Sequence, residues 1–243
     1  MFIHNRLGMV ESVETLLAQQ QRLNQVSNNL ANVDTAGYKK ESVTFDEMLY
    51  NVTKNRQRVG KALNILTNHQ QGTVQLTGNP LDIAISGPGF FKIDTPQGPR
   101  YTRAGNFELT PDGQLKMPNG GLVVGEGGPI VVEGSEVVID RAGRVQVDGQ
   151  VVNQLSIVTF ADLRDLEKVG ENLFRAKRET AQEQPAPDAE IKQGFIEKAN
   201  VNTVEEMTEL IDLQRAYEGQ QKMIRAIDDI DNLAARRVGS LNG

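Results

Sequence analysis

Two histidines, His4 and His69, are the side chains in this sequence best suited to bind a transition metal. They lie far apart in the chain, and neither belongs to an HExxH pattern, which places two imidazoles on one face of a helix. No second ligand stands at helical spacing from either histidine, and there are no cysteines to form a thiolate site. We therefore expect no metal site.

Glycine-rich segments are the next candidates, because their backbone amides can bind phosphate. The segment GEGGP, residues 125–129, follows a short apolar run, but a dinucleotide loop must open a helix. Three β-branched residues follow Pro129 instead, which favours a strand. The segment GPGFF lacks the Lys-Ser/Thr pair of a phosphate loop, and we interpret it as a tight turn that delivers Phe90 and Phe91 to opposite faces of a strand. Neither segment predicts a nucleotide cofactor.

The sequence also gives little support for residues that would act in acid–base or nucleophilic catalysis. Asp162 and Asp165 could share a helix face, but a chain with 32 acidic residues contains such pairs by chance, so we interpret these two as solvated. No serine lies in a G-x-S-x-G elbow. We expect no catalytic residue and no cofactor, and therefore a protein that is not an enzyme.

Composition excludes further classes of function. The formal net charge of -6 opposes binding to a phosphate backbone. No apolar run reaches the length of a membrane span. Glu11 and Glu14 fall where the apolar part of a secretory signal would lie. We expect neither nucleic-acid binding nor membrane insertion, and any export must use a route without a cleaved signal peptide.

Both ends of the sequence have the apolar spacing of amphipathic helices. In each, apolar residues recur every seventh residue, and at the C-terminal end others follow three residues later. Thr203 and Glu206 have the spacing of a capping box, which predicts that the C-terminal helix begins there. The stripe residues, which we expect to form an assembly interface, are Leu16, Leu23, Leu30, Leu210, Leu213, Tyr217, Ile224 and Ile227.

The stripes need partners, because an isolated amphipathic helix is only marginally stable in water. In one alternative the two helices pack on each other or on the rest of the same chain. In the other they pack on helices of neighbouring subunits. Periodicity alone leaves both alternatives open.

The middle of the sequence has a different pattern. Short apolar runs alternate with turn signals such as TPDG and MPNGG, which is typical of antiparallel strands. The polar, Pro-containing residues 178–190 are expected to form an exposed loop. The predicted class is α+β, with the terminal helices paired as an antiparallel coiled coil around a central, mainly antiparallel β domain. The predicted divisions are an N-terminal helix over 1–35, a connecting arm over 36–75, the β domain over 76–195 and a C-terminal helix over 196–243.

The motif SNNLANVDTAGYKK, residues 27–40, follows the first stripe. Asparagine near a helix end can bond to backbone groups, and glycine after it can adopt a positive φ. An aromatic side chain would pack at the corner of the turn, whereas Lys39 and Lys40 are expected to be solvated or to meet acids on a neighbour. The residues assigned to this turn motif are Asn28, Asn29, Asn32, Gly37 and Tyr38.

Three blocks of this sequence resemble the signatures of flagellar rod and hook proteins, the axial proteins of the bacterial flagellum. They are SNNLANVDTAGYKK near the start, SGPGFFKIDTPQGPRYTRAGNFELTPDGQL in the middle and KANVNTVEEMTELIDLQRAYEGQQKMIRAIDDI near the end. The resemblance implies a structural subunit of the basal-body rod, which assembles with itself and with other axial proteins into a helical tube that transmits torque. It also implies passage through the flagellar type III export machinery, without a cleaved signal, to a rod that spans the periplasm.

The resemblance favours a proximal-rod member, since only residues 41–86 separate the first two blocks and the distal-rod type tends to carry a longer insertion there. The sequence MFIHNRLGMVESVETLL also departs from the distal-rod pattern. A distal-rod or hook-type subunit is the first alternative. The second is a self-contained β-rich binding protein whose helices pack on its own sheet.

The stripe hypothesis predicts the effect of a buried charge. Ile224→Asp would place a carboxylate in a dry seam between helices, where an unpaired charge costs several kcal/mol. We expect loss of assembly and of motility while the β domain still folds, measured by swimming and by circular dichroism of the purified chain. Glu209→Gln, which lies off the stripe, should swim normally, and normal swimming by Ile224→Asp would contradict the hypothesis.

Overall fold

The computed structural model describes residues 2–53, 56–134, 136–177 and 181–239. Two long helices, α1 (Phe2–Ala31) and α2 (Thr203–Gly239), lie at the ends of the chain, and the described strands lie between them. None of the described helices is long and apolar enough to cross a membrane. The strands are β1 (Glu41–Thr53), β2 (Arg56–Thr67), β3 (Val74–Leu76), β4 (Ile83–Ser86), β5 (Phe90–Asp94), β6 (Arg100–Thr102), β7 (Glu108–Leu109), β8 (Leu115–Lys116), β9 (Leu122–Gly125), β10 (Gly128–Pro129), β11 (Val137–Ile139), β12 (Arg144–Val147), β13 (Gln150–Gln154), β14 (Ile157–Phe160), β15 (Leu166–Lys168), β16 (Leu173–Ala176), β17 (Glu183–Pro185), β18 (Glu190–Gln193) and β19 (Phe195–Glu197).

The chain forms two compact units, each discontinuous in sequence. The helical unit contains Met1–Ala31, Glu41–Leu66 and Asn202–Gly243. The β unit contains Asn32–Lys40 and Thr67–Val201. The α+β class predicted from the sequence is confirmed, whereas the coiled-coil pairing and the four-segment division of roles stay predictions.

The helical unit joins the two terminal helices to a two-stranded sheet of β1 and β2. Both strands are long, and Gly60 lies inside β2 without ending it. Glycine within a strand costs conformational entropy but leaves the ladder intact. The predicted connecting arm therefore contains regular structure over much of its length.

The start of α2 corrects the predicted capping box. Asn202, one residue earlier than predicted, caps the helix: its Oδ1 accepts a hydrogen bond from the Val204 amide at 3.1 Å. Its Nδ2 donates to Oε1 of Glu205 at 3.0 Å, so Glu205 takes the acidic position that was assigned to Glu206. Glu206 is fully buried and serves a different contact, described below.

The β unit is built around one branched antiparallel sheet. Its main path runs β15-β16-β6-β5-β9-β8-β7, with β10 on β9 and β14 joining β5 to β17. Strands β11, β12 and β13 form a second sheet, while β18 pairs with β4 and β19 with β3. The central antiparallel domain predicted from turn signals is confirmed.

Two apolar clusters lie on opposite faces of β5. Phe91 and Ile93 belong to the larger one, with residues such as Ile83, Val123 and Ile130. Phe90 belongs to the smaller one, with aromatic residues from β6, β14 and β16. The alternation predicted for Phe90 and Phe91 is confirmed, because successive residues of a strand face opposite sides.

Of the predicted loop over 178–190, residues 178–180 lie outside the described residues, and residues 181–190 do not form one continuous loop. Within this range β17 pairs antiparallel with β14, and Glu190 begins β18. The strand is exposed and contains Pro185, which suits an edge position because proline has no amide to donate. The proline that indicated a loop therefore marks the edge of a sheet.

Candidate functional site: the helix pair and the buried clasp

The two terminal helices contact each other within the helical unit. Nη2 of Arg22 lies 2.9 Å from Oε1 of Glu209, and Nδ2 of Asn29 donates to Oε2 of Glu206 at 3.1 Å. Later positions in α1 therefore meet earlier positions in α2, and the helices run antiparallel. The Arg22–Glu209 pair is exposed, and such pairs contribute little to stability.

The predicted stripe residues occupy the less exposed positions of both helices. Leu213 is buried. The other seven are half-buried, namely Leu16, Leu23, Leu30, Leu210, Tyr217, Ile224 and Ile227. The stripes are thus at least partly covered within one chain, and their role in contacts between subunits stays a prediction.

A buried amide joins α1 to β1 and α2. Asn29 donates from Nδ2 to the Glu41 carbonyl at 2.8 Å and accepts from the Glu41 amide at 3.1 Å. The same Nδ2 reaches Glu206, and Gln25 donates to the Glu41 carboxylate at 3.1 Å. Asn29 was expected to cap its own helix, but it instead pairs with the backbone of a strand as a second strand would. The neighbouring Asn28 is exposed.

The turn after α1 belongs to the β unit. The amide and hydroxyl of Thr35 donate to the carbonyl and the Oδ1 of Asn32, at 3.1 and 3.2 Å. Gly37 has a φ of 67°, as expected from the motif. A Cβ at this position would lie 2.2 Å from the Ala104 nitrogen, so glycine is required here by contact as well as by conformation.

Tyr38 is buried, in agreement with the packing predicted for it. The ammonium of Lys168 lies 3.6 Å from the centroid of its ring, close enough for a cation–π interaction. Nζ of Lys168 also donates to the Lys39 carbonyl at 3.2 Å. These contacts hold the end of the motif against the β unit.

Lys39 corrects the expectation of a solvated lysine. Its side chain is fully buried, and its Nζ lies 2.6 Å from Oε1 of Glu197 and 2.7 Å from the Gln70 carbonyl. Nη1 of Arg103 lies 3.3 Å from Oε2 of the same glutamate, and the Gly72 amide donates to Oε1 at 2.9 Å. One buried carboxylate therefore serves two buried cations. We name Lys39, Arg103 and Glu197 the clasp.

Burial of the clasp changes the pKa values of its two cations. Burial lowers the pKa values of the Lys39 ammonium and the Arg103 guanidinium, and the charge of Glu197 opposes both shifts. The carboxylate thus favours the charged form of each cation. Without it, two cations would remain buried with no compensating charge.

Backbone contacts extend the clasp to three segments that adjoin the helical unit in sequence. The Asn68 amide donates to the Lys40 carbonyl at 2.8 Å, and the Lys40 amide donates to Oδ1 of Asn200 at 2.7 Å. Nδ2 of Asn200 donates to the carbonyls of Asn68 and Gln70 at 2.8 and 3.0 Å. The segments 36–40, 67–73 and 197–200 are therefore tied together inside the β unit.

No cluster of metal-ligating side chains occurs among the residues that the structure describes. The side chain of His4 lies outside them. His69 packs between the rings of Phe90 and Phe174, with centroid distances of 5.9 and 5.4 Å. Within the described part of the chain its buried Nδ1 has no hydrogen-bond partner.

Removing the clasp carboxylate should destabilise the β unit strongly. Glu197→Gln leaves Lys39 and Arg103 buried beside a neutral amide, and breaking a buried ion pair on one side costs about 3–5 kcal/mol. We expect this loss in the free energy of unfolding by urea denaturation. The matched control is Glu167→Gln, which removes the exposed partner of Arg175 and should unfold almost as the wild type does. Equal stability of the two variants would contradict the importance of the clasp.

His69 should make the stability of the β unit depend on pH. Burial, with the charges of Lys39 and Arg103, lowers its pKa from 6.5 to about 4. Between these values the unfolded chain binds a proton at His69 that the folded chain does not, so stability falls as the pH falls. His69→Gln keeps an N–H donor but does not titrate. The pH profile of its urea midpoint should be flatter than that of the wild type from pH 6.5 to 4, and parallel profiles would refute this.

Comparison with known proteins fits these features. Three family models match the chain: "Flagella basal body rod protein" over residues 12–39, "Flagellar hook protein FlgE/F/G D1 domain" over 84–153 and "Flagellar basal body rod FlgEFG protein C-terminal" over 192–237. The flagellar basal-body rod protein FlgF of Caulobacter vibrioides is 35% identical, covering 92% of this chain and 94% of that protein. FlgG of Bacillus subtilis is 34% identical, covering 87% and 91%. The chain belongs to the family of flagellar basal-body rod proteins.

Proposed function

We propose that the chain is a subunit of the proximal part of the rod. In this proposal its terminal helices pair as an antiparallel coiled coil and assemble with those of other copies into a helical tube. The tube transmits torque and encloses the export channel. The observation that carries the proposal is the antiparallel contact of α1 and α2, the two ends of the chain, in a family of structural rod proteins.

Membership of this family also helps to decide between the rod subunit and the alternative functions considered from the sequence. A family of structural proteins makes the chain a rod subunit and not an enzyme. It likewise removes the basis for a self-contained β-rich binding protein. Similarity to FlgF and FlgG is nearly equal, so the choice of the proximal rod rests on two sequence features: the short interval between the first two motifs, and the N-terminal segment that departs from the distal-rod pattern.

Roles for the segments follow from the same proposal. The helices within 1–35 and 196–243 would form the axial core, and residues 76–195 would form the outer domain. Residues 36–75 would connect them. The stripe residues would then seal each helix pair, which agrees with their half-buried positions.

The proposal also covers the partners of the chain and the route by which it is exported. The chain would contact other rod and hook axial proteins and pass through the flagellar type III export machinery without a cleaved signal.

Deletion of the gene tests the position in the rod. A proximal subunit carries everything beyond it, so we expect basal bodies without any rod outside the inner membrane, as seen by cryo-electron tomography. A short remaining rod would show that the chain is a distal subunit. A complete rod and hook would refute the rod function. Complementation with the wild-type gene controls for effects on neighbouring genes.

A further inference from the structure

The turn between β8 and β9 contains an asparagine followed by a glycine, Asn119 and Gly120, and both residues are exposed. In the part of the chain that the structure describes, no other asparagine precedes a glycine. Asparagine is chemically labile, because the amide nitrogen of the next residue can attack its side-chain carbonyl carbon. Glycine as the next residue hinders that attack least, since it carries no side chain.

The backbone around Gly120 leaves room for this reaction. Gly120 has a φ of 94°, and a Cβ built on it would meet no other atom within 4 Å. Glycine populates positive and negative φ about equally, so the backbone can leave this conformation at little cost. The Gly120 amide donates to the Met117 carbonyl at 2.9 Å, and the reaction must break this hydrogen bond.

The side chain of Asn119 is held by a residue from a different turn of the β unit. Its Nδ2 donates to Oε2 of Glu171 at 2.9 Å, and Glu171 lies in the turn between β15 and β16. For a ring to close, the Asn119 side chain must turn until its Cγ meets the Gly120 nitrogen. A side chain bound to Glu171 is less free to make this movement.

We propose that Asn119 is a site of spontaneous deamidation in the folded protein, and that Glu171 limits its rate. The Gly120 nitrogen bonds to Cγ of Asn119, the bond from Cγ to Nδ2 breaks, and ammonia leaves with the proton of the Gly120 amide. Water then opens the resulting succinimide at one of its two carbonyls, which gives aspartate or isoaspartate. Water is the co-reactant, and no oxidant takes part. This inference goes beyond the proposed function and does not depend on it.

Deamidation changes the contact with Glu171 from attractive to repulsive. The amide donor becomes a carboxylate, and two carboxylates at this distance repel each other. Glu171 has a φ of 50°, and the next residue, Asn172, has a φ of 57°. Nδ2 of Asn172 donates to the Ala36 carbonyl at 3.1 Å, so this turn also binds the residue that precedes Gly37. The modification therefore acts on a turn that holds the turn motif.

Peptide mass spectrometry tests the proposal, because trypsin isolates the site. Cleavage after Lys116 and Arg141 gives a peptide in which Asn119 is the only asparagine and which contains no glutamine. The mass gain from amide to acid in this peptide therefore reports Asn119 alone. The purified full chain is incubated at neutral pH, folded or in urea, and digested after increasing times. A sample digested at time zero corrects for deamidation during digestion.

Two variants separate the role of Glu171 from a general effect of charge. Glu171→Gly removes the carboxylate and suits the positive φ at this position. The matched control, Glu167→Gln, removes the exposed partner of Arg175 on β15 and leaves the contact between Asn119 and Glu171 in place. Urea midpoints of both variants verify that they stay folded during the incubation.

We expect the folded wild type to accumulate the heavier peptide as two products of equal mass that chromatography separates. Glu171→Gly should raise the rate by about two- to tenfold, the factor that corresponds to losing one net hydrogen bond. Glu167→Gln should match the wild type. Absence of the heavier peptide from folded wild type, over a time in which the chain in urea is converted, overturns the site. A single product overturns the succinimide route. Equal rates in wild type and Glu171→Gly, or equal acceleration by Glu167→Gln, overturn the role of Glu171.

Discussion

The β unit buries two cations, Lys39 and Arg103, and depends on the carboxylate of Glu197 to compensate their charge. That carboxylate neutralises two cations that are themselves out of contact with water, at 2.6 Å from Lys39 and 3.3 Å from Arg103. Desolvating three charges is costly, and the low-dielectric interior makes each of them intolerant of losing its partner. The arrangement holds Lys39 and Arg103 on one carboxylate within the β unit. The amides of Gly37 and Gly72 reinforce it by donating to the backbone carbonyl and to Oε1 of Glu197.

Local sequence patterns predict the parts of this fold that local physics determines. The seven-residue spacing at Leu210, Tyr217 and Ile224 predicts α2 because the helical period alone brings those residues to one face. Gly37 has the positive φ that its motif predicts. Phe90 and Phe91 separate onto two clusters because a strand alternates.

Contacts between distant residues escape such patterns. Lys39 and Glu197 are 158 positions apart, and a lysine beside another lysine normally indicates solvent. The available signal was a glutamate just before the polar segment that leads into α2, but nothing local distinguishes it from other acids. Asn29 was predicted as a cap because its neighbourhood ends a helix, whereas its partners are Glu41 and Glu206. The family comparison identifies the rod subunit without resolving these contacts.

Because the β unit is discontinuous in sequence, its parts become available for folding at different times during synthesis. A chain that emerges with its N-terminus first presents Lys39 early and Glu197 only after more than three quarters of its length. Until then, burial of Lys39 and Arg103 lacks its counter-charge, so the early strands can form while this corner remains open to water. Completion of the unit must wait for the residues that immediately precede α2. Completion of the β unit therefore depends on residue 197 and not on α2, and a chain that stops before residue 197 lacks the counter-charge of Lys39 and Arg103.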